Sequence, residues 1–139
     1  MAKTPEQIIR DFCHLWENQD IEGIVNACTE DVRYANVPVP EMIGRDAMRT
    51  FISRNLTAAD KVEFKLLSIA TATDGRTVLT ERIDAFHFGN KRVPLLLMGI
   101  FVLRGDKICE WRDYTDIGTF VSRMSAIGQR PGPGIVQDA

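Results

Sequence analysis

The chain has 139 residues, a length that suits one domain built around a single core. Its formal net charge of −2, with no basic stripe, argues against a nucleic-acid binder. No segment approaches the roughly 20 consecutive apolar residues that span a bilayer, and the start, "MAKTPEQIIRDF", lacks the apolar run of a signal peptide.

In chain order, "TPEQ" is a helix start: Thr4 caps, Pro5 suits the first helical position, and Gln7 completes a capping box. Ile8, Phe12, Leu15 and Trp16 then recur at helical spacing to about Asn18. Asp20 caps a second short helix carrying Ile21, Ile24, Val25 and Cys28. In "DVRYANVPVPEMIG", Val32, Tyr34 and Asn36 alternate as a short strand, which Pro38 and Pro40 end. "GRDAMRTFISRNL" predicts a third helix with Met48, Phe51, Ile52 and Leu56 on one side.

The period then changes. Val62–Thr71 and Arg76–Phe88 are expected strands joined by a turn at "TDG". Val93–Leu103, apolar on both faces, is expected as a central strand covered on each side. Ile108–Thr115 is the last strand, and a short helix follows through Phe120 and Met124. The end, "GQRPGPGIVQDA", is too rich in Gly and Pro for regular structure, so residues from about 128 to 139 are expected to form a flexible tail. Helices segregated from a meandering sheet predict one α+β domain over residues 1–139. Its twisted sheet curls around the helices and leaves a pocket.

The three cysteines, Cys13, Cys28 and Cys109, are odd in number and widely spaced, without a C-x-x-C. They read as reduced thiols filling the core of a cytoplasmic protein. No zinc-ligand spacing links them to the two histidines, so no metal site is expected. His14 reads as a core or boundary position, and His87 lies on the strand face away from Asp84.

Three strands each carry a polar pair two residues apart: Tyr34 and Asn36, Arg82 and Asp84, Trp111 and Asp113. Alternation puts both members of a pair on one face, roughly 6.5–7 Å apart along the strand. The face of Arg82 and Asp84 also carries Val78, Phe86 and Phe88, which argues for burial. If all three pairs meet, two carboxylates share an apolar pocket with a guanidinium. Close carboxylates resist double ionisation, so one pKa rises. An arginine between them can hold both and favours a single shared proton. One carboxylate then donates a proton while the other accepts one. The alternative is open at this point: an Arg–Asp pair on a strand is also the pattern of a solvated surface pair.

"YANVPVPEMIGRDAM", "ERIDAF" and "GIFVLRGDKICEWRDYTD", in this order and at these separations, resemble the limonene-1,2-epoxide hydrolase family, within the larger group of NTF2-like and SnoaL-like cones. The likeness covers roughly residues 34–116. It implies an NTF2-like cone, a homodimer and no cofactor. It also implies that Arg82, Asp84 and Asp113 form the catalytic triad, that Tyr34 and Asn36 help hold a water, and that Trp111 belongs to the pocket. The implied chemistry is one-step addition of that water to an epoxide, with Asp113 as base and Asp84 as acid, giving a vicinal diol. Strand alternation and family placement name Phe86, Leu95, Leu97, Phe120 and Leu56 as apolar walls suited to a small cyclic or terpene-type epoxide. Two other readings stand beside it. One is a ketosteroid-isomerase-like or polyketide-cyclase-like enzyme. The other is a non-catalytic small-ligand-binding module in which Arg82 and Asp84 form only a structural salt bridge.

Overall fold

The computed structural model describes residues 2–130. The expectation of a flexible tail falls mostly on residues 131–139, outside the described residues. The elements run α1 (Pro5–Glu17), α2 (Ile21–Asn26), β1 (Cys28–Val37), β2 (Met42–Ile43), α3 (Arg45–Ala58), β3 (Lys61–Thr71), β4 (Thr77–Phe88), β5 (Lys91–Arg104), β6 (Lys107–Thr115) and α4 (Ile117–Ala126). One mixed sheet has the order β2-β1-β6-β5-β4-β3. β3 through β6 form an antiparallel meander, and β1 joins β6 in parallel.

Three strands lie between β1 and β3, and in a flat sheet those four inter-strand steps would separate them by nearly 20 Å. Yet Tyr34 from β1 and Phe64 from β3 line one small cavity. The sheet is therefore strongly curled, with its concave face around the helices, as an α+β cone requires. The core fills that concavity. Trp16 of α1 stacks on Phe64 with ring centroids 4.8 Å apart. Phe12 meets Phe101 and Trp111 edge-on.

Local chemistry sets the boundaries. The Thr4 hydroxyl accepts from the Gln7 amide, and Asp20 and Asp116 cap α2 and α4 in the same way. The Gln7 side chain does not complete a capping box; its amide donates to Asp11 instead. At the β3–β4 turn, Asp74 accepts from the amides of Arg76 and Thr77, and Gly75 takes φ +74°.

Some expectations shift. The buried stripe of α1 is Ile9, Phe12, Cys13 and Trp16, while Ile8 and Leu15 are only half-buried. α1 is rotated so that Trp16 reaches Phe64. Cys28 opens β1 rather than closing α2, and β1 runs for ten residues, because its parallel partner β6 continues the pairing on both sides of Tyr34. β2 is a two-residue edge that alternation is too short to reveal. His14 is exposed and meets Glu17. β5 is not covered on both faces: Leu96 and Met98 are 64% and 56% exposed on the convex side. All three cysteines are free and buried. Burial pushes the Cys13 and Cys28 thiols up to about 12, so they stay protonated.

Candidate active site

The three polar pairs converge on the concave face. Asn36 lies opposite Asp113 across the parallel β1–β6 pairing, Asp113 lies opposite Gly99 on β5, and Gly99 lies opposite Thr80 on β4. A single row across four strands thus carries Asn36, Asp113 and Thr80, with a gap at Gly99. Tyr34 pairs with Trp111 one step along, and Arg82 and Asp84 follow Thr80 at two-residue intervals. All these side chains are buried.

Arg82 is fully buried and holds the site together. Its Nε donates to Asp84 Oδ1 at 3.0 Å and its Nη2 to Asp84 Oδ2 at 2.9 Å, a two-pronged grip. The same Nη2 donates to Asp113 Oδ2 at 3.1 Å. Nη1 donates to the Thr80 hydroxyl at 3.1 Å, and that hydroxyl donates to the Gly99 carbonyl at 3.1 Å. The guanidinium carbon lies 5.0 Å from the Phe64 ring centre, 5.5 Å from Phe101 and 5.8 Å from Trp111. These rings help stabilise a cation shut away from bulk solvent. Trp111 Nε1 donates to Asp113 Oδ1 at 2.7 Å, and its ring stacks on Tyr34 with centroids 4.1 Å apart. Asn36 hydrogen-bonds the Tyr34 hydroxyl.

Electrostatics follow from this enclosure. Burial raises the Asp84 carboxyl to about 6, against the attraction of Arg82 and with repulsion from Asp113 adding to the rise. Burial also raises Asp113, while Arg82 and the Trp111 N–H pull the other way. Burial works against the charge on Arg82, but Asp113 and Asp84 outweigh it and push its pKa up. Burial and the nearby Asp113 raise the Tyr34 phenol, which stays protonated. A single proton shared by the two carboxyls would make the cluster with Arg82 neutral, the arrangement that a closed apolar site favours. The Trp111 hydrogen bond favours the charge on Asp113, and the two-pronged grip of Arg82 favours the charge on Asp84.

A cavity of about 30 Å³ lies against this cluster, lined by Asp84, Asp113, Tyr34 and Asn36 with Trp16, Phe51, Asn55, Phe64, Phe86 and Leu95. That is room for about one water molecule. Phe86 and Leu95, named as walls from the sequence, are among the lining residues. Trp111 is not; it sits behind, orienting Asp113. Leu56 is packed in the main core. Phe120 packs with Val93 and Met124 and backs Phe86, at 6.2 Å between centroids. Leu97 is buried opposite Arg82 and is also outside the cavity lining.

Sequence reasoning overlooked Thr80, Gly99, Trp16, Phe51, Asn55 and Phe64 at this site. Thr80 was within reach, since it precedes Arg82 by two on the same strand face. Gly99 was hidden in an apolar run, and the helix contributions depend on how α1 and α3 dock. Among the described residues, no group of His, Cys, Asp and Glu is arranged to hold a metal ion.

Comparisons with known proteins agree with this geometry. Residues 3–126 match the family model described as the limonene-1,2-epoxide hydrolase catalytic domain. Epoxide hydrolase EphG of Mycobacterium tuberculosis is 30% identical over 109 residues, which cover 78% of this chain and 71% of the relative. A solved structure of a limonene-epoxide-hydrolase-like epoxide hydrolase from M. tuberculosis has a TM-score of 0.73 at 28% identity, covering 86% of this chain and 88% of that one. A SnoaL-like protein of Shewanella putrefaciens has a TM-score of 0.75 at 12% identity, over 91% of this chain and 99% of the other, and shows the fold alone. The chain belongs to the limonene-1,2-epoxide hydrolase family, on an NTF2-like, SnoaL-like cone.

Proposed function

We propose that the protein hydrolyses a small hydrophobic epoxide, cyclic or terpene-type, to a vicinal diol in one step, without cofactor or covalent intermediate. The observation that carries this reading is Arg82 bonded to both Asp84 and Asp113 beside a cavity with room for one water. Asp113, as carboxylate, takes a proton from that water, which Tyr34 and Asn36 also hold. The water oxygen attacks an oxirane carbon, the carbon–oxygen bond breaks, and Asp84 gives its proton to the leaving oxygen. Positioned acid and base each contribute about 10²–10⁴-fold, and fixing the water adds an entropic gain. The proton gained by Asp113 must return to Asp84 before the next turnover, and Arg82 lies between the two.

The cavity is smaller than any such substrate, so the half-buried rim of Asn55, Phe86 and Leu95 must yield as the epoxide enters. The reading includes a homodimer formed through the convex sheet face, where Leu67, Leu96, Met98 and Tyr114 are exposed. Three free buried thiols suit a reducing compartment such as the cytoplasm. No helix among the described residues is long and apolar enough to cross a membrane.

The deciding experiment is diol formation from a panel of cyclic epoxides, followed by a single turnover in oxygen-18 water. Immediate label in the diol supports direct attack by water. Label entering an aspartate first excludes the one-step route. A conjugated enone formed from a ketosteroid, with no diol from any epoxide, would point to isomerase chemistry instead.

A further inference from the structure

Tyr34 carries a hydroxyl that lines the cavity, and the sheet supports its ring unevenly. Trp111 of β6 lies opposite Tyr34 on one side of β1, and Met42 of β2 lies opposite it on the other. β6 is a nine-residue strand, and the Trp111 ring stacks on Tyr34 with centroids 4.1 Å apart. β2 is an edge of two residues, and Met42 is only half-buried. A second ring reaches Tyr34 from the helix layer instead. Phe51 of α3 meets it at 5.4 Å between centroids with the ring planes 75° apart, a crossed arrangement that aromatic pairs favour.

Among the described residues, Phe51 and Trp111 are the only rings packed on Tyr34. Phe51 is itself held in place: α3 buries Met48, Phe51, Ile52 and Leu56 on one side, which fixes the rotation of the helix on the core. Phe51 also lines the cavity beside Tyr34, Asn36 and Asp113. A flat stack resists motion toward Trp111 but leaves the Tyr34 ring free to slide along it or lift away. The crossed contact with Phe51 opposes what the stack leaves open. The hydroxyl stands at the far end of the side chain, so a small tilt near the backbone becomes a larger shift at the oxygen.

We propose that Phe51 is a positioning residue, which fixes the Tyr34 hydroxyl and, through it, the water that adds to the epoxide. This rests on the hydrolase reading above.

The test is a double-mutant cycle on kcat for cyclohexene oxide, with Phe51→Leu and Tyr34→Phe made singly and together. Tyr34→Phe keeps the ring and removes only the hydroxyl. Phe51→Leu is expected to lower kcat by roughly tenfold in the wild type, less than the loss from a full ångström of misplacement. In the Tyr34→Phe background the same change is expected to cost about twofold or less. An equal loss in both backgrounds, or no loss in either, overturns the proposal, because a residue that only packs acts regardless of the hydroxyl. Should Phe51→Leu fail to fold, Phe51→Met takes its place in the cycle, since methionine fills a core site without a rigid ring. The NMR signal of the Asn36 side-chain amide, which bonds the Tyr34 hydroxyl, reads the same cycle without turnover. A shift on Phe51→Leu that is much smaller in the Tyr34→Phe background upholds the positioning role even if no epoxide is hydrolysed, and that result would count against the hydrolase reading alone. Equal shifts in the two backgrounds report only the lost ring and overturn it.

Discussion

Gly99 of β5 faces Asp113 of β6 across the sheet, and a Cβ at Gly99 would overlap both Asp113 Oδ1 and Arg82 Nη1. The obstacle is charged, hydrogen-bonded and fully buried, so it has nowhere to move. Glycine at this position lets Arg82 reach from β4 over β5 to β6. Gly99→Ala is expected to lower kcat by about 10²-fold, the scale of a small misplacement of reacting groups, and to destabilise the fold by about 1–3 kcal/mol through overpacking. Steady-state kinetics and thermal melting of the purified variant check both. Unchanged kinetics would show that the cluster does not need this gap.

The two carboxylates should prove unequal to ordinary structural ion-pair partners. In the proposed mechanism Asp84→Asn removes the acid, and Asp113→Asn removes the base. Each is expected to cut turnover by about 10²–10⁴-fold while the chain stays folded, because the amide keeps an oxygen that can accept from Arg82. Circular dichroism alongside diol formation separates the outcomes. If either variant loses stability but keeps its turnover, the cluster is structural, as a non-catalytic binding module requires.

Much of this cluster is legible in the sequence alone. Two-residue spacing put Arg82 with Asp84, Trp111 with Asp113 and Tyr34 with Asn36, because strand alternation is a strict period. The segregation of helices from the meander gave the fold class for a similar reason. What stayed hidden depended on partners distant in sequence. The rotation of α1 that sends Trp16 to Phe64 follows from helix docking on a curled sheet, which the periodicity of α1 does not encode. Leu56, Leu97 and Phe120 carry the right apolar character for a wall, yet all three end up outside the cavity lining. Hydrophobicity marks what is buried and does not separate lining from backing. The convex face of β5 shows the same limit, since an apolar residue does not reveal whether its cover comes from its own chain.

Acid–base behaviour gives a third expectation. The Asp84 carboxyl is raised from its ordinary 3.8 to about 6 by burial. Between those values the folded state holds more proton than the unfolded one, so this group's contribution to stability is full below pH 3.8 and declines as pH rises through the window. The proposed mechanism needs the same proton, so kcat/KM is expected to fall tenfold per pH unit once the shared proton is lost above about pH 6, a value that belongs to the pair. A pH–rate profile flat up to pH 9 would contradict the assignment of Asp84 as acid. Thr80→Val, which removes an acceptor from Arg82 Nη1, should shift this profile as well as lower kcat, whereas a purely structural threonine would leave the profile in place.

On the convex face, Met98 lies between Glu81 and Tyr114 in one transverse row, with exposed Leu96 and Leu67 close by. A shallow depression joins these residues. Met98→Glu would place a charge in the centre of the patch, opposite Glu81. For a dimer built on this face, the variant is expected to sediment as a monomer, and analytical ultracentrifugation at several concentrations reads the result directly. Wild type sedimenting as a monomer throughout would remove the homodimer from the functional reading.

Phe86 and Leu95 stand at the half-buried rim of a cavity that has room for only about one water molecule. Every substrate must therefore displace them, and the penalty grows with substrate bulk. Phe86 packs against Phe120, so moving its ring aside loses that contact. Phe86→Ala removes the ring without touching Arg82, Asp84 or Asp113. Its expected effect is selective: kcat/KM for bulky bicyclic or terpene-type epoxides rises relative to that for cyclohexene oxide by roughly tenfold, the range in which one or two methylenes discriminate in an apolar pocket. Competition between a bulky and a small epoxide in one reaction measures the ratio without reference to enzyme concentration. A uniform loss across all sizes would mean that Phe86 supports the acid–base cluster and does not gate entry, and the rim would then have to be sought at Asn55 and the end of α3.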